Sequence, residues 1–496
     1  KKQSSFFRLS PSDYEGLHRR YAQLLETETA TLASGSISEE DAVRKRLSSL
    51  FDGMMKTAYN NAGAQLSIEI LADPQVRKFI DAHAGVLDSS FERTSMSDAM
   101  RKRLHRSDFI FSGMKTFHEL NEAFPSMLDE NGERKPFERF LNDVRSIDKT
   151  YNENYLRAEY NFVSASAEMA AKWEEFEQDG DRYNLQYRTQ KDDRVRPEHA
   201  ALDSVTLPPS DSFWTEFYPP NGWNCRCTVV QVRKSKYPAT DHDEAMTLGD
   251  VALQKDSKGM FHFNAGIEQS TVPDYNPYTI SKCRNCEVPK GKWTLSRETP
   301  ADNEVCAACR WMHKCELRDS LTKKGNKISA DEINQILSMP YDDQFISEYR
   351  GSRGVVYQHL LHCTANIDNQ FVLDVAKAFA EMEGDCWINP VIRDTSPYRH
   401  VFYSDLPSAS KCNPDLKTLL YGYIDVKSPI EPHTWCRNAV HASSKQHSCA
   451  CLTNHRTHIT EDEIEQRTRL IWKDPNYKHD YLFWFINGVL RKYKRP

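Results

Sequence analysis

Residues 413–427 read Asn-Pro-Asp415-Leu-Lys-Thr-Leu-Leu-Tyr-Gly-Tyr-Ile-Asp425-Val-Lys427, and the reading of this stretch decides the fold of the C-terminal third of the chain. The apolar run Leu419, Leu420, Tyr421, Tyr423 and Ile424 predicts a strand that ends in Asp-Val-Lys. Side chains alternate along a strand, so Asp425 and Lys427 share one face while Val426 enters the opposite layer. Pro414-Asp415 brings a second carboxylate close upstream. Two carboxylates converging from neighbouring strands can hold Mg2+, which prefers hard oxygen ligands. Such an ion neutralises charge developing on a phosphodiester and lowers the pKa of a bound water, and a lysine on the same face can orient or help deprotonate that water. Asp-x-Lys alone is a common surface pattern, so its meaning depends on its surroundings.

Upstream, Val372, Val375, Ala376, Phe379 and Ala380 recur at the spacing of an amphipathic helix. Gly384 ends that helix, and Cys386-Trp-Ile-Asn-Pro390 reads as a strand. Downstream, Thr434 can cap a helix running through Ala439 and Ala442 to Lys445-Gln446, and a strand follows from His447 to Leu452. Thr460 and Glu463 form a capping box, and a hairpin turns at Asn487-Gly488 between Tyr481–Ile486 and Val489–Tyr493. A second capping box, Ser329 to Glu332, opens the region after the polar break Lys323–Asn326. These elements describe an α/β unit around a mixed sheet.

With this element order, Pro414-Asp415 and Asp425-x-Lys427 resemble the PD-(D/E)xK nucleases, and in particular the C-terminal toxin nucleases of contact-dependent inhibition systems. The resemblance covers about 330–496 of a domain placed at 326–496. It implies a restriction-endonuclease-like fold, Mg2+ on Asp415 and Asp425, and catalytic roles for Asp415, Asp425, Lys427 and Gln446. It further implies an RNA (tRNA) or DNA substrate and an immunity protein as a possible partner. The middle acid is Asp425 where many members have Glu, which puts the metal geometry in doubt. A rival reading starts from His433, His441, His447, His455, His458 and His479: ribonucleases of the barnase and EndoU type cleave without metal by general acid–base chemistry.

A second cluster of chemistry-bearing residues lies earlier. Cys283-x2-Cys286 and Cys306-x2-Cys309 have the spacing of a closed four-thiolate zinc site, with Ala307 and Ala308 inside the second pair as a tight knuckle favours. Such a site leaves no open coordination position, so a structural zinc is expected. The surrounding segment 236–282, rich in Asp, Pro, Asn and Tyr, reads as an irregular connector, and 236–325 is taken as connector plus zinc module.

Before it, residues 10 to about 175 read as mostly helical. Ser10-Pro11 and the spacing of Tyr14, Leu17, Tyr21, Leu24 and Leu25 start one helix, and Phe162, Ala165, Met169, Trp173 and Phe176 line another within Asn152–Glu177. From about 183 to 235 short strands and turns take over. There Arg194-Val-Arg-Pro-Glu-His199-Ala is followed by Phe213-Trp214 and then by Tyr218-Pro-Pro220-Asn-Gly222-Trp-Asn-Cys225-Arg226-Cys227. Asn221-Gly222 reads as a positive-φ turn, with Cys225 and Cys227 on one face of the following strand. The plain reading is a turn and strand packed on aromatic residues; His199, Cys225 and Cys227 could also form a partial metal site.

Taken together, His199, Trp214, Pro220, Gly222, Cys225, Arg226 and Cys227 resemble the signature of the Mu-like phage head-morphogenesis family (Mu F-like minor head proteins). The resemblance covers roughly residues 10–235 and does not imply an established enzymatic activity. It implies a few copies per capsid, contact with portal and capsid proteins, and a place in the virion head after assembly in the bacterial cytoplasm.

Composition sets the outer limits. At 496 residues the chain has room for about three domains. Charged residues make up 27% and hydrophobic residues 39%, a globular balance, and the net charge of −6 excludes an overall basic field for nucleic acid. Arg491, Lys492, Lys494 and Arg495 form a local basic patch at the end, which reads equally as a solvated chain end. The N-terminal residues lack the apolar stretch of a secretory signal, and the longest apolar run, Tyr481–Leu490, is too short for a membrane span, so a soluble protein without membrane contact is expected. Thirteen cysteines in such a chain favour metal ligation and free thiols over a disulfide framework. The expected fold class is therefore multidomain: a mostly α head-protein domain over 1–235 with a small α+β end, a zinc-knuckle module, and a C-terminal α/β restriction-endonuclease-like domain.

Overall fold

The computed structural model describes residues 37–61, 66–280, 283, 304–362, 367–393, 396–407 and 412–496. Among them two compact units divide the chain. The first holds residues up to 66 with 73–283 and 304–309, and the second holds 67–72 and 310–496.

The first unit is built on four long helices: α1 (Ile37–Asn61), α2 (Pro74–Ser89), α3 (Asp98–Ala123) and α4 (Leu156–Asp179). Short polar side chains fix two of their starts. Asp73 accepts from the Gln75 amide with Pro74 at the first helical position, and Ser97 accepts from the Met100 amide. The expected start at Ser10-Pro11 lies outside the described residues. The helix expected from Asn152 begins at Leu156, because Lys149–Asn154 wind as a wider π turn. Phe51, Met54, Phe79, Phe111, Phe162 and Trp173 are buried in the core.

Next to this apolar packing sits a charged cluster. The fully buried Lys115 ammonium donates to Glu159 Oε2 (2.7 Å) and the Tyr151 carbonyl (2.8 Å) and lies 2.9 Å from His83 Nε2. Tyr278 donates to the other Glu159 oxygen at 2.5 Å.

A three-stranded antiparallel sheet closes this unit, with β1 (Asn184–Arg188) between β2 (Thr206–Leu207) and β3 (Thr228–Val232). The segment read from sequence as a connector folds onto it. Residues His242–Leu253 form helix α5, capped by Asp241, and Phe261, Phe263 and Tyr278 are buried. Gly266 packs so tightly on Trp173 that a Cβ there would sit 2.2 Å from the tryptophan Cβ. The Pro, Asp and Asn residues of this segment serve as caps and turns inside a packed region, which local composition cannot distinguish from a linker.

Helix α6 (Glu304–Lys324) and helix α7 (Ala330–Leu337) follow, the latter starting in the expected Ser329–Glu332 capping box. The second unit is an eight-stranded mixed sheet in the order β11-β10-β9-β8-β7-β6-β5-β4. Its elements are β4 (Phe345–Arg350), β5 (Val355–His359), α8 (Ile367–Met382), β6 (Cys386–Ile388), β7 (Leu416–Thr418), β8 (Gly422–Lys427), α9 (Trp435–Lys445), β9 (Cys449–Thr453), α10 (Glu461–Lys473), β10 (Tyr481–Ile486) and β11 (Val489–Lys494).

Strand β7 runs antiparallel to both β6 and β8, whereas β5 and β6 are parallel and β8, β9 and β10 are parallel to one another across helical crossovers. Val375, Phe379, Leu416 and Ile424 belong to the core between sheet and α8; Trp435, Ala439, Ala450 and Trp484 belong to the core on the other face. Two local expectations change. Leu419 and Leu420, read as strand, are exposed at the tip of the β7–β8 hairpin, where Gly422 at φ +66° starts the return strand. Thr434 precedes α9 without capping it, its hydroxyl donating instead to the Glu431 carbonyl.

Candidate functional site

The β7–β8 register sets Leu416 against Ile424, and one step outward sets Asp415 against Asp425. The two carboxyl groups come within hydrogen-bonding reach of each other. Asp415 Oδ2 accepts from the Val426 amide at 2.7 Å, and the Lys427 ammonium lies 2.6 Å from Asp425 Oδ2. Asp425 and Lys427 share the face toward α9, while Val426 packs in the α8 layer. Asp425 is 2% exposed and Asp415 keeps partial exposure. Burial first, and then the Asp425 charge, push Asp415 up to about 8; burial also raises Asp425, with Lys427 opposing. Two enclosed carboxylates facing one ammonium leave a deficit of positive charge at this spot.

Asn389 and Asn413, which the sequence reading missed as site residues, fix the approach to Asp415 together with Gln446, read there as catalytic. Asn389, at the end of β6, donates its side-chain amide to the Pro414 carbonyl (3.0 Å) and its backbone N–H to the Asp415 carbonyl (2.9 Å). Asn413 Oδ1 accepts from the Ile392 amide at 2.9 Å. Gln446 stands at the end of α9, where its Oε1 accepts from the Asn413 amide at 2.9 Å, so it holds the turn that carries Asp415. The signal available in sequence was an asparagine at each strand boundary, which is ordinary turn chemistry.

The remaining candidates are more scattered. His433, His441, His447 and His458 are exposed, and His455 stacks on Phe371 and pairs with Asp374 at 3.6 Å. The C-terminal basic residues have partners within the unit: Arg491 with Glu461, Lys492 with Glu383, and Arg495 with the Trp472 and Tyr477 carbonyls. Cys306 and Cys309 lie one turn apart on α6, not in a knuckle loop; Cys283 is buried, and Cys286 lies outside the described residues.

In the first unit the aromatic and glycine residues of the signature shape one region. Trp214 is fully buried and donates to the Pro208 carbonyl at 3.1 Å, and Pro220 is buried behind a cis bond from Pro219. Gly222 at φ +155° lies against Arg196, and the second positive φ of the turn is at Asn224 and not at Asn221. Asn221 is instead buried, accepting from the Tyr187 hydroxyl at 2.7 Å. Cys225 and Cys227 precede β3 and do not lie within it. Arg226 between them turns to Asp192, with bonds of 2.6 and 2.7 Å. His199, 4% exposed, places Nδ1 3.8 Å from Cys225 Sγ, and one donor atom each of His199, Cys225 and Cys227 lie within 4.8 Å of one another. A bond from the Cys227 thiol, and then His199, hold Cys225 well below the usual thiol range against burial.

The two units thus define a chain with a helical N-terminal part that contains this signature and a C-terminal mixed-sheet part that carries a carboxylate pair. Comparison with known proteins speaks to the first part. Residues 128–230 match the family described as Phage Mu protein F like protein. A protein of Escherichia phage Mu named "Putative capsid assembly protein F" is 31% identical over 167 residues, 32% of this chain and 35% of that protein. The Mu-like prophage FluMu F protein of Haemophilus influenzae is 35% identical over 78 residues, 14% of this chain and 19% of the other. An uncharacterized protein of Methanocaldococcus jannaschii is 45% identical over 47 residues, 10% of this chain and 7% of its own. The chain therefore spans about a third or less of the length of each of these relatives. No solved structure matches. Over residues 128–230 the N-terminal unit is similar to this family, and among the described residues no helix is long and apolar enough to cross a membrane.

Proposed function

We propose that this chain is a head-assembly component of a Mu-like phage or prophage whose C-terminal domain is a metal-dependent nuclease cutting RNA (tRNA) or DNA. The similarity of residues 128–230 to Mu F proteins, one of them named for capsid assembly, supports the first half of this reading, under which the chain would meet portal and capsid proteins and reside in the virion head. The nuclease half rests on one observation: Asp415 and Asp425 meet across β7 and β8 with Lys427 on the same face. The oxygen donors and the shortage of positive charge beside them fit Mg2+, which Asp415 and Asp425 would hold. When bound, the ion would neutralise charge developing at a scissile phosphate. Lys427 would hold a proton and point it at the attacking water or a phosphate oxygen, and Asn389 and Gln446 would keep Asp415 in place through the turn they bind.

A structural zinc on Cys283, Cys286, Cys306 and Cys309 belongs to the same proposal and rests on their spacing; an immunity protein would protect the producing host. The test incubates the full chain with RNA and with DNA in Mg2+, in EDTA, and as Asp425→Ala. Cleavage that needs Mg2+ and Asp425 supports the reading. EDTA-resistant cleavage would move the activity to the histidine scheme, and no cleavage of either substrate leaves the chain purely structural.

A further inference from the structure

The sequence segments around 199 and 225–227 come together in a way the proposed nuclease does not use. His199 is the third residue of a four-residue helix, Pro197–Ala200, and the two cysteines sit on the turn leading into β3, so the three donors come from two loops that are also joined by bonds from the Gln190 and Arg196 side chains to the Arg226 and Trp223 carbonyls. A zinc ion with sulfur bonds of about 2.3 Å and a nitrogen bond of about 2.0–2.1 Å needs tetrahedral donor separations of roughly 3.6–3.8 Å. The 3.8 Å from His199 Nδ1 to Cys225 Sγ matches one such edge, and all three donors fall within 4.8 Å, a spread that a small side-chain rotation closes.

The surroundings fit an ion as well. A cavity of about 30 Å3 is bounded by His199, Cys225 and Cys227 together with Arg194, Arg196 and Asn224. That is room for about one small species. The same three residues also line a larger cleft of about 1230 Å3 between α4, the 190–199 loop and the 252–261 segment. Arg226, between the two cysteines in sequence, also lines this small cavity, with its guanidinium engaged by Asp192.

We propose that His199, Cys225 and Cys227 bind a zinc ion that ties the 190–199 loop to the 219–227 turn and leaves its fourth coordination position to water or an anionic group entering from the cleft. Two thiolates and an imidazole form a donor set that zinc uses both structurally and with an open position. In a region whose sheet has a two-residue strand, such an ion contributes directly to folding.

Metal content of the full-length chain, purified without chelator, tests this. His199→Ala and Cys225→Ser/Cys227→Ser should each carry one zinc fewer than the wild type. Cys306→Ser/Cys309→Ser should remove a different zinc or none, so the two sites are counted independently of each other. With Co2+ in place of zinc, the thiolate charge-transfer absorption should fall in Cys225→Ser/Cys227→Ser by the amount two sulfurs provide. Should the serine variants fail to fold, Cys227→His, which keeps a donor, decides. A folded chain that has lost the ion, or that retains it with one thiolate's absorption lost, supports the site, and a folded chain that retains the ion with its thiolate absorption unchanged overturns the site. Equal zinc in wild type and folded variants, or a Cys225–Cys227 disulfide found by thiol counting before any reduction, overturns it too.

Discussion

Replacing Asp425 by Asn should make the second unit more stable without metal and insensitive to Mg2+. In the folded chain Asp415 is pushed up to about 8, mainly by burial and then by the Asp425 charge, from an ordinary value near 3.8. A group whose folded pKa is raised contributes stability that is complete below about pH 4 and is lost as pH rises toward about 8. Metal-free wild type should therefore weaken over that window. Asp415 keeps partial exposure and solvent screens its charge, so a loss of about 1–3 kcal/mol is expected. Asp425→Asn removes the Asp425 charge but not the burial, so it should recover the smaller part of that loss near pH 8, with little change near pH 5. Mg2+ at about a hundred times its dissociation constant should stabilise wild type by about 2.7 kcal/mol and the variant by far less. Denaturant titrations in EDTA and in Mg2+ at the two pH values read all four quantities. If Asp425→Asn is no more stable than wild type in EDTA at high pH, and Mg2+ stabilises neither, the carboxylate pair is not a cation site.

Other consequences follow from the packing. Lys115→Met leaves Glu159 buried without its ammonium and should destabilise the first unit by about 3–5 kcal/mol, whereas Lys115→Met/Glu159→Gln should recover much of that in a double-mutant cycle by denaturant unfolding. Although burial pushes Glu159 up, Lys115 and His83 hold it at about 2, so its contribution is present above about pH 4.5 and fades as pH falls toward 2. The cost of Lys115→Met should shrink over that range. Glu119, pushed up to about 8 chiefly by burial, acts in the opposite sense; Glu119→Gln should gain on wild type in melting temperature as pH rises from about 5 to about 8. Gly266→Ala places a methyl 2.2 Å from the Trp173 Cβ and should cost about 1–3 kcal/mol, visible as a lowered thermal midpoint.

The parts of the fold written in local pattern could be read from sequence. Helix α8 follows from the spacing of Val372 to Ala380, α10 from its Thr460–Glu463 box, and the terminal hairpin from Asn487-Gly488 between alternating strands. Strand alternation also placed Asp425 and Lys427 on one face. What escaped depends on contacts across long stretches of chain. Nothing near Gly266 announces that it fills the space beside Trp173, and nothing near Lys115 names Glu159 as its partner. Leu419 and Leu420 failed for another reason: an apolar pair at a hairpin tip has the composition of a strand and the geometry of a turn. His199 and Cys225, 26 positions apart, are grouped in sequence by a signature and by ligand chemistry, while their proximity is a property of the folded loops.

The arrangement of β11 at one border of the eight-stranded sheet bears on how copies of the chain behave when crowded. An outermost strand offers unpaired backbone groups to any extended segment that drifts past, and lysines along it discourage such annexation. Val489–Lys494 ends the sheet with Arg491, Lys492 and Lys494, two of them tethered to Glu461 at the start of α10 and Glu383 in the turn after α8. Many chains pressed together in a small volume would meet at this rim as like charges, so fibrous stacking through the C-terminal sheet is discouraged on that side by the residues that finish the fold.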